Sequence, residues 1–187
     1  IIIFAETGLL IGFFLPGDSL LITAGLIAAQ GYLDITVLNL SLIVAAIAGD
    51  QVGYLFGKKT GPKLFNREKS LLFNKDHLIK AKHFYEKYGG RAIIYARFVP
   101  FARTFAPIVA GIGDMNYRKF ISYNIFGGIF WVLSMTLLGY FFGNIPFVKK
   151  NFEFVIIGVI VLSVLPVVIG YLKHRKESKL NAEEMEV

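Results

Sequence analysis

Cysteine is absent from the 187 residues, which excludes disulfides, thiolate metal sites and cysteine nucleophiles. Charge is scarce as well: 18% of residues are charged, where a soluble domain carries about 25%. Histidine occurs only at His77, His83 and His174, in a connecting stretch and a tail. No imidazole therefore stands beside a candidate nucleophile or metal position, and neither an enzyme, a metal site nor a cofactor is expected. No methionine precedes Met115, so the natural start, with at least one further segment, is expected upstream of Ile1. A secretory signal is not visible, because residues 1–15 lack a basic flank and a small-residue cleavage site.

What the sequence does have is apolar residues, 55% of the total with 15% aromatic, and they are clustered. The expected solvent is a bilayer and the expected class all-α, a polytopic integral membrane protein. The net charge of +7 does not point to nucleic acid. Its Lys and Arg residues gather in residues 58–91, ten against three acids, and in Lys173 to Lys176, as they do in cytoplasmic loops.

Three runs are long enough to cross the hydrocarbon: 35–57, 118–143 and 152–172. Two other apolar regions are broken. Residues 1–15 stop at Pro16-Gly17-Asp18, and a short run from Ser19 to Ala29 follows. Likewise Ala92 to Val99 stops at Pro100, with Arg103 and Pro107 before the apolar Ile108 to Ile112. Between them, Asn74 to Gly90 has an N-cap, helical spacing of Leu78, Ala81, Tyr85 and Tyr88, and a Gly-Gly stop. That pattern fits a surface amphipathic helix, and equally a solvated connector. One domain over 1–177 and a flexible tail over 178–187 are expected.

If both basic regions are cytoplasmic, parity requires residues 92–113 to enter and leave on one side. Residues 1–30 then dip in from the opposite face. The result is two re-entrant helical hairpins in an inverted-repeat arrangement plus about three full transmembrane helices. Such paired Gly/Pro-interrupted segments point to a transporter's substrate site. Gly17, Pro16, Pro100 and Pro107 would form the breaks.

Glu6, Asp18, Arg97 and Arg103 lie in or beside the broken segments. Each costs about 2.5–3.5 kcal/mol at mid-membrane, so the four unpaired would cost on the order of 10–14 kcal/mol. They are expected to pair with each other or to face a polar cavity, and the acids of the first segment match the arginines of the second. Simple ion pairs joining the hairpins would satisfy that cost. In the functional alternative, Arg97 and Arg103 hold an anion, since the guanidinium fork suits phosphate and never deprotonates. Glu6 or Asp18 would carry the proton, because a carboxylate in a partly dry site keeps its proton to higher pH. Asp50 is a weaker candidate, near the end of its span and expected to reach the interface.

The combination of Glu6-Thr7-Gly8, Phe14-Leu15-Pro16-Gly17-Asp18, Gly49-Asp50-Gln51-Val52-Gly53-Tyr54 and Arg97-Phe98-Val99-Pro100-Phe101-Ala102-Arg103-Thr104, with Asn124, Gly127 and Trp131, resembles the DedA (SNARE-associated, VTT-domain) family over about residues 1–145. The resemblance implies an inner-membrane protein with two facing re-entrant hairpins that translocates a lipid, notably undecaprenyl phosphate, in a proton-dependent way. It carries functional acids onto Glu6 and Asp18 and functional arginines onto Arg97 and Arg103. The expected partners are an anionic membrane lipid and protons; a proton- or cation-coupled transporter of a small solute is the alternative, and self-association stays open.

Overall fold

The computed structural model describes residues 1–8, 17–64, 87–158 and 161. Pro16, the surface helix expected from Asn74, most of the third span and the tail lie outside the described residues. Among the described residues every regular element is a helix. They are α1 (Ile2–Gly8), α2 (Gly17–Ala29), α3 (Ile35–Leu64), α4 (Arg91–Ala96), α5 (Pro100–Ile112), α6 (Tyr117–Gly143) and α7 (Pro146–Lys150) in chain order, with α3 and α6 the long ones, and residues 152–158 are helical as well.

Local chemistry sets the boundaries. Asp34 caps α3, its Oδ1 accepting from the backbone N–H of Thr36 at 2.8 Å and of Val37 at 2.9 Å. Asn116 caps α6 in the same way, accepting from Arg118 and Lys119. Gly31, at φ 84°, stops α2 in the left-handed conformation that glycine takes freely. Val99 is extended, as a residue before proline prefers, and Pro100 opens α5. The N–H bonds from Val37 and Thr36 hold the exposed Asp34 carboxyl below its ordinary range. A group so depressed stabilises the fold above its unfolded pKa and stops doing so as pH falls through its folded value. Asp34→Ala is therefore expected to lower the melting temperature at neutral pH, with the gap closing below about pH 4. Thermal unfolding in detergent at pH 7 and pH 3 checks this.

Two helices, over Ile35–Gly61 and Tyr117–Gly143, are long and apolar enough to cross a membrane. At 1.5 Å per residue, 27 residues reach about 40 Å, beyond the roughly 30 Å of hydrocarbon. The polarity of the molecule is reversed relative to a soluble protein. Val37, Val44, Phe126, Phe130 and Phe141 face outward, while Glu6, Asp50, Arg97, Arg103 and Asn124 are buried. Lipid as the surrounding medium accounts for both observations.

The long helices run antiparallel, because Asn39 meets Thr136 while Ile47 meets Asn124 and Gly128. Helices α2 and α5 each pack against the long helix of the other half. In one pair, Gly25 of α2 lies against Thr136 and Gly139 of α6 against Ile22. In the other, Gly57 of α3 lies against Ile108 and Gly111 of α5 against Tyr54. A Cβ at any of these four glycines would fall 2.0–2.1 Å from a backbone oxygen of the opposing helix. The sequence carries the same signature twice. Ala24-Gly25 precedes Gly53-Tyr54-Leu55-Phe56-Gly57, and at the same interval Ala110-Gly111 precedes Gly139-Tyr140-Phe141-Phe142-Gly143. There are two apolar cores: Ile3, Leu21, Ala46, Trp131 and Val132 form one, and Tyr54, Ile93, Ala110 and Phe120 the other.

Candidate functional site

The buried ions fall into two groups along one face of α6. Arg103 sits in the first turn of α5, aimed inward from the Pro100 break. Its Nη2 meets Glu6 Oε1 at 2.5 Å and its Nη1 meets Asp18 Oδ1 at 2.6 Å. Trp131 supports the group from α6. Its Nε1–H donates to Asp18 Oδ1 at 2.8 Å, and its ring lies 4.9 Å from the Arg103 guanidinium carbon, in cation–π range. Glu6 is 1% exposed and Arg103 5%, whereas the Asp18 side chain keeps 31% exposure. Asp18 is thus the member of the group open to the outside.

The backbone makes room for this arrangement. A Cβ on Gly17 would stand 1.7 Å from Glu6 Oε2, so only glycine lets the carboxylate sit there. Thr7 fixes α1 on α3, donating to Ile3 O at 3.0 Å and to Ala46 O at 3.4 Å. Gly8 and Gly49 bring those two backbones into direct contact.

The second group is centred on Arg97, the C-cap of α4. Its Nη2 donates to both Asp50 Oδ2 and Asn124 Oδ1. Asn124 is oriented in turn by donating Nδ2–H to Ile47 O at 3.2 Å. Gly127 and Gly128 present a wall without side chains to the Arg97 stem and guanidinium. A groove of about 490 Å³ runs from Lys87 and Arg91 past Tyr88 and Tyr95 to Val99 and Ala102, on the segments that carry Arg97 and Arg103 though neither arginine lines it.

Glu6, Asp18, Arg97 and Arg103 were expected to pair as one set. The pairing holds for Arg103, which takes both first-segment acids, while Arg97 departs from it and pairs with Asp50. The expectation that Asp50 reaches the interface is overturned too: it is 2% exposed. Its depth follows from Gly49 and Gly53, which let α1 and α5 close over that stretch of α3. Pro100 and Pro107 both lie within α5, the first at its start and the second inside the helix, where it frees the carbonyl of Arg103 from a helical bond. Asn124 and Trp131 were not singled out for their chemistry. The signal was available, since they stand two helical turns apart with Gly127 and Gly128 between, on an apolar span where an amide is costly.

A helical membrane protein whose long apolar helices enclose paired ions at two chain breaks is the class defined by this fold and site. Residues 15–141 match the VTT domain. Protein DedA of Escherichia coli is 49% identical over 178 residues, covering 94% of this chain and 81% of the relative. A membrane protein of Mycobacterium leprae named as uncharacterized is 45% identical, over 99% of this chain and 83% of its own. The inner membrane protein YqjA of Escherichia coli is 34% identical, over 91% and 77%. No solved structure matches. The chain belongs to the VTT-domain, or DedA, family of membrane proteins.

Proposed function

We propose that the protein is a transporter, not an enzyme, that moves a lipid phosphate carrier such as undecaprenyl phosphate across the inner (cytoplasmic) membrane, coupled to protons. The observation that carries this reading is one guanidinium, Arg103, held by two carboxylates from either side of the first chain break. The trio has one negative charge too many. Asp18, being partly exposed, bears that surplus at rest, and a carboxylate that loses its guanidinium has reason to take up a proton. An incoming phosphate must displace a carboxylate from Arg103, and the displaced carboxylate then takes the proton. Anion binding and proton uptake are thereby linked at one atom group.

In this reading α1–α2 and α4–α5 are re-entrant hairpins from opposite faces, in an inverted repeat around the site. Residues 35–57, 118–143 and 152–172 are the full spans, and residues 58–91 and the tail are cytoplasmic. The fold is one membrane domain over residues 1–177. The groove along α4 and the start of α5 favours a lipid over a small solute: it is cationic at Lys87 and Arg91 and mostly apolar from Ala92 to Ala102.

The test is movement of labelled undecaprenyl phosphate in proteoliposomes with an imposed pH gradient. Wild-type protein is expected to respond to the gradient. Glu6→Gln is expected to retain exchange at equal pH but lose about tenfold or more of the gradient's acceleration. Wild-type protein that moves no lipid phosphate sinks the reading.

A further inference from the structure

The Arg97 group differs from the Arg103 group in charge and in degree of saturation, with two buried guanidinium nitrogens unmet against one, and the difference assigns Asp50 a role. Arg97 and Asp50 cancel, so this pair holds no surplus charge to be met by a proton. Yet the Arg97 guanidinium is under-used. Only Nη2 is occupied, and the buried Nε and Nη1 have no hydrogen-bond partner among the described residues. A purely structural buried arginine is expected to fill its donors, since each unmet one costs free energy. Arg97 also sits on the non-helical link 97–99, and the side-chain-free wall at Gly127 and Gly128 lies directly against its stem and guanidinium. Asn124 and Trp131 mark the two arginine groups on one face of α6, about 10 Å apart by helical rise.

We propose that Asp50 is a displaceable counter-ion that latches Arg97 when no substrate is present, with Asn124 as the positioning residue that holds the guanidinium in register. This rests on the lipid-phosphate reading above. A phosphate has more acceptor oxygens than a carboxylate and more charge, so it can fill Nε and Nη1 as well as replace Asp50 on Nη2. Asp50 then re-closes on Arg97 and drives the phosphate off. Arg97 and Arg103 act as successive stations, each guarded by its own carboxylates.

Competition of this kind has a kinetic signature. A latch closed nine-tenths of the time weakens apparent affinity about tenfold. Asp50→Asn is expected to lower the half-saturating undecaprenyl phosphate about tenfold while also lowering turnover, and Asp50→Glu to behave as wild type. A structural role alone would not improve half-saturation. Hydrogen–deuterium exchange of the full-length protein in nanodiscs gives a second readout without substrate. Asp50→Asn is expected to speed exchange at residues 93–99 about tenfold and leave 132–143 unchanged. Unchanged exchange at 93–99 overturns the latch whatever transport shows. Faster exchange with unaltered half-saturation overturns the competition. Wild-type protein that moves no lipid phosphate, with the exchange difference intact, removes the transport reading and leaves the latch standing.

Discussion

Arg103→Ala is expected to abolish lipid-phosphate movement and to destabilise the fold by about 3–5 kcal/mol, the usual cost of stranding one member of a buried ion pair. Both effects have one cause. Arg103 is the counter-ion of Glu6 and Asp18, and the Glu6 side chain has almost no access to solvent in which to disperse its charge. Loss of activity from unfolding must therefore be separated from loss of the anion site. The variant carrying Arg103→Met, Glu6→Gln and Asp18→Asn does so, because it removes all three charges and keeps comparable volumes. Buried ion groups replaced by apolar or neutral residues are often no less stable than the original. Melting in detergent is expected to return to within about 1 kcal/mol of wild type, the scale of ordinary substitutions. Transport is expected to stay at background. Transport by either variant at the wild-type rate would contradict the assignment of Arg103 to the phosphate.

The partition of the ions into two groups is the part of the site that the sequence conceals. Four costly charges near two breaks are enough to demand pairing, and their types suggest anion and proton chemistry. Which acid meets which arginine depends on where α3 lies against α6 and α4. That register is set by contacts far apart in the chain, such as Asn124 with Ile47. Asp50 reads as an end-of-span residue because the apolar run ends soon after it. The helix nevertheless continues to Leu64, since backbone hydrogen bonding needs no apolar side chains. The long helices themselves were legible, with 118–143 expected and Tyr117–Gly143 observed. So were the starts of α2 and α5, because Gly17 and Pro100 punctuate the chain through backbone geometry alone. The cross-half packing was only half legible. Abundant glycine announces close helix approach, but the partners appear only when the duplicated Ala-Gly and Gly-Tyr-x-Phe-Gly signatures are set side by side.

That duplication yields a second large effect, independent of any substrate. Gly139→Ala and Gly57→Ala are expected to destabilise the protein equally, each by about 3 kcal/mol, the upper end of overpacking costs. Gly139 lies against the backbone of Ile22 and Gly57 against that of Ile108, so no rotamer change can relieve the added methyl. The helices must separate, and separation opens the interface that holds α2 or α5 in place. Because Asp18 belongs to α2 and Arg103 to α5, either substitution pulls one partner of the same ion pair away from the other. Gly158→Ala is the control. Among the described residues nothing lies within 4 Å of its Cβ position, and alanine suits the helical stretch 152–158 better than glycine, so its effect is expected to be neutral or slightly stabilising. Thermal unfolding of the three variants in one detergent checks the set. A loss at Gly139 without a matching loss at Gly57 would mean that the two halves, alike in packing, are unlike in energy. The site would then be held by one rigid half, with the other free to move against it.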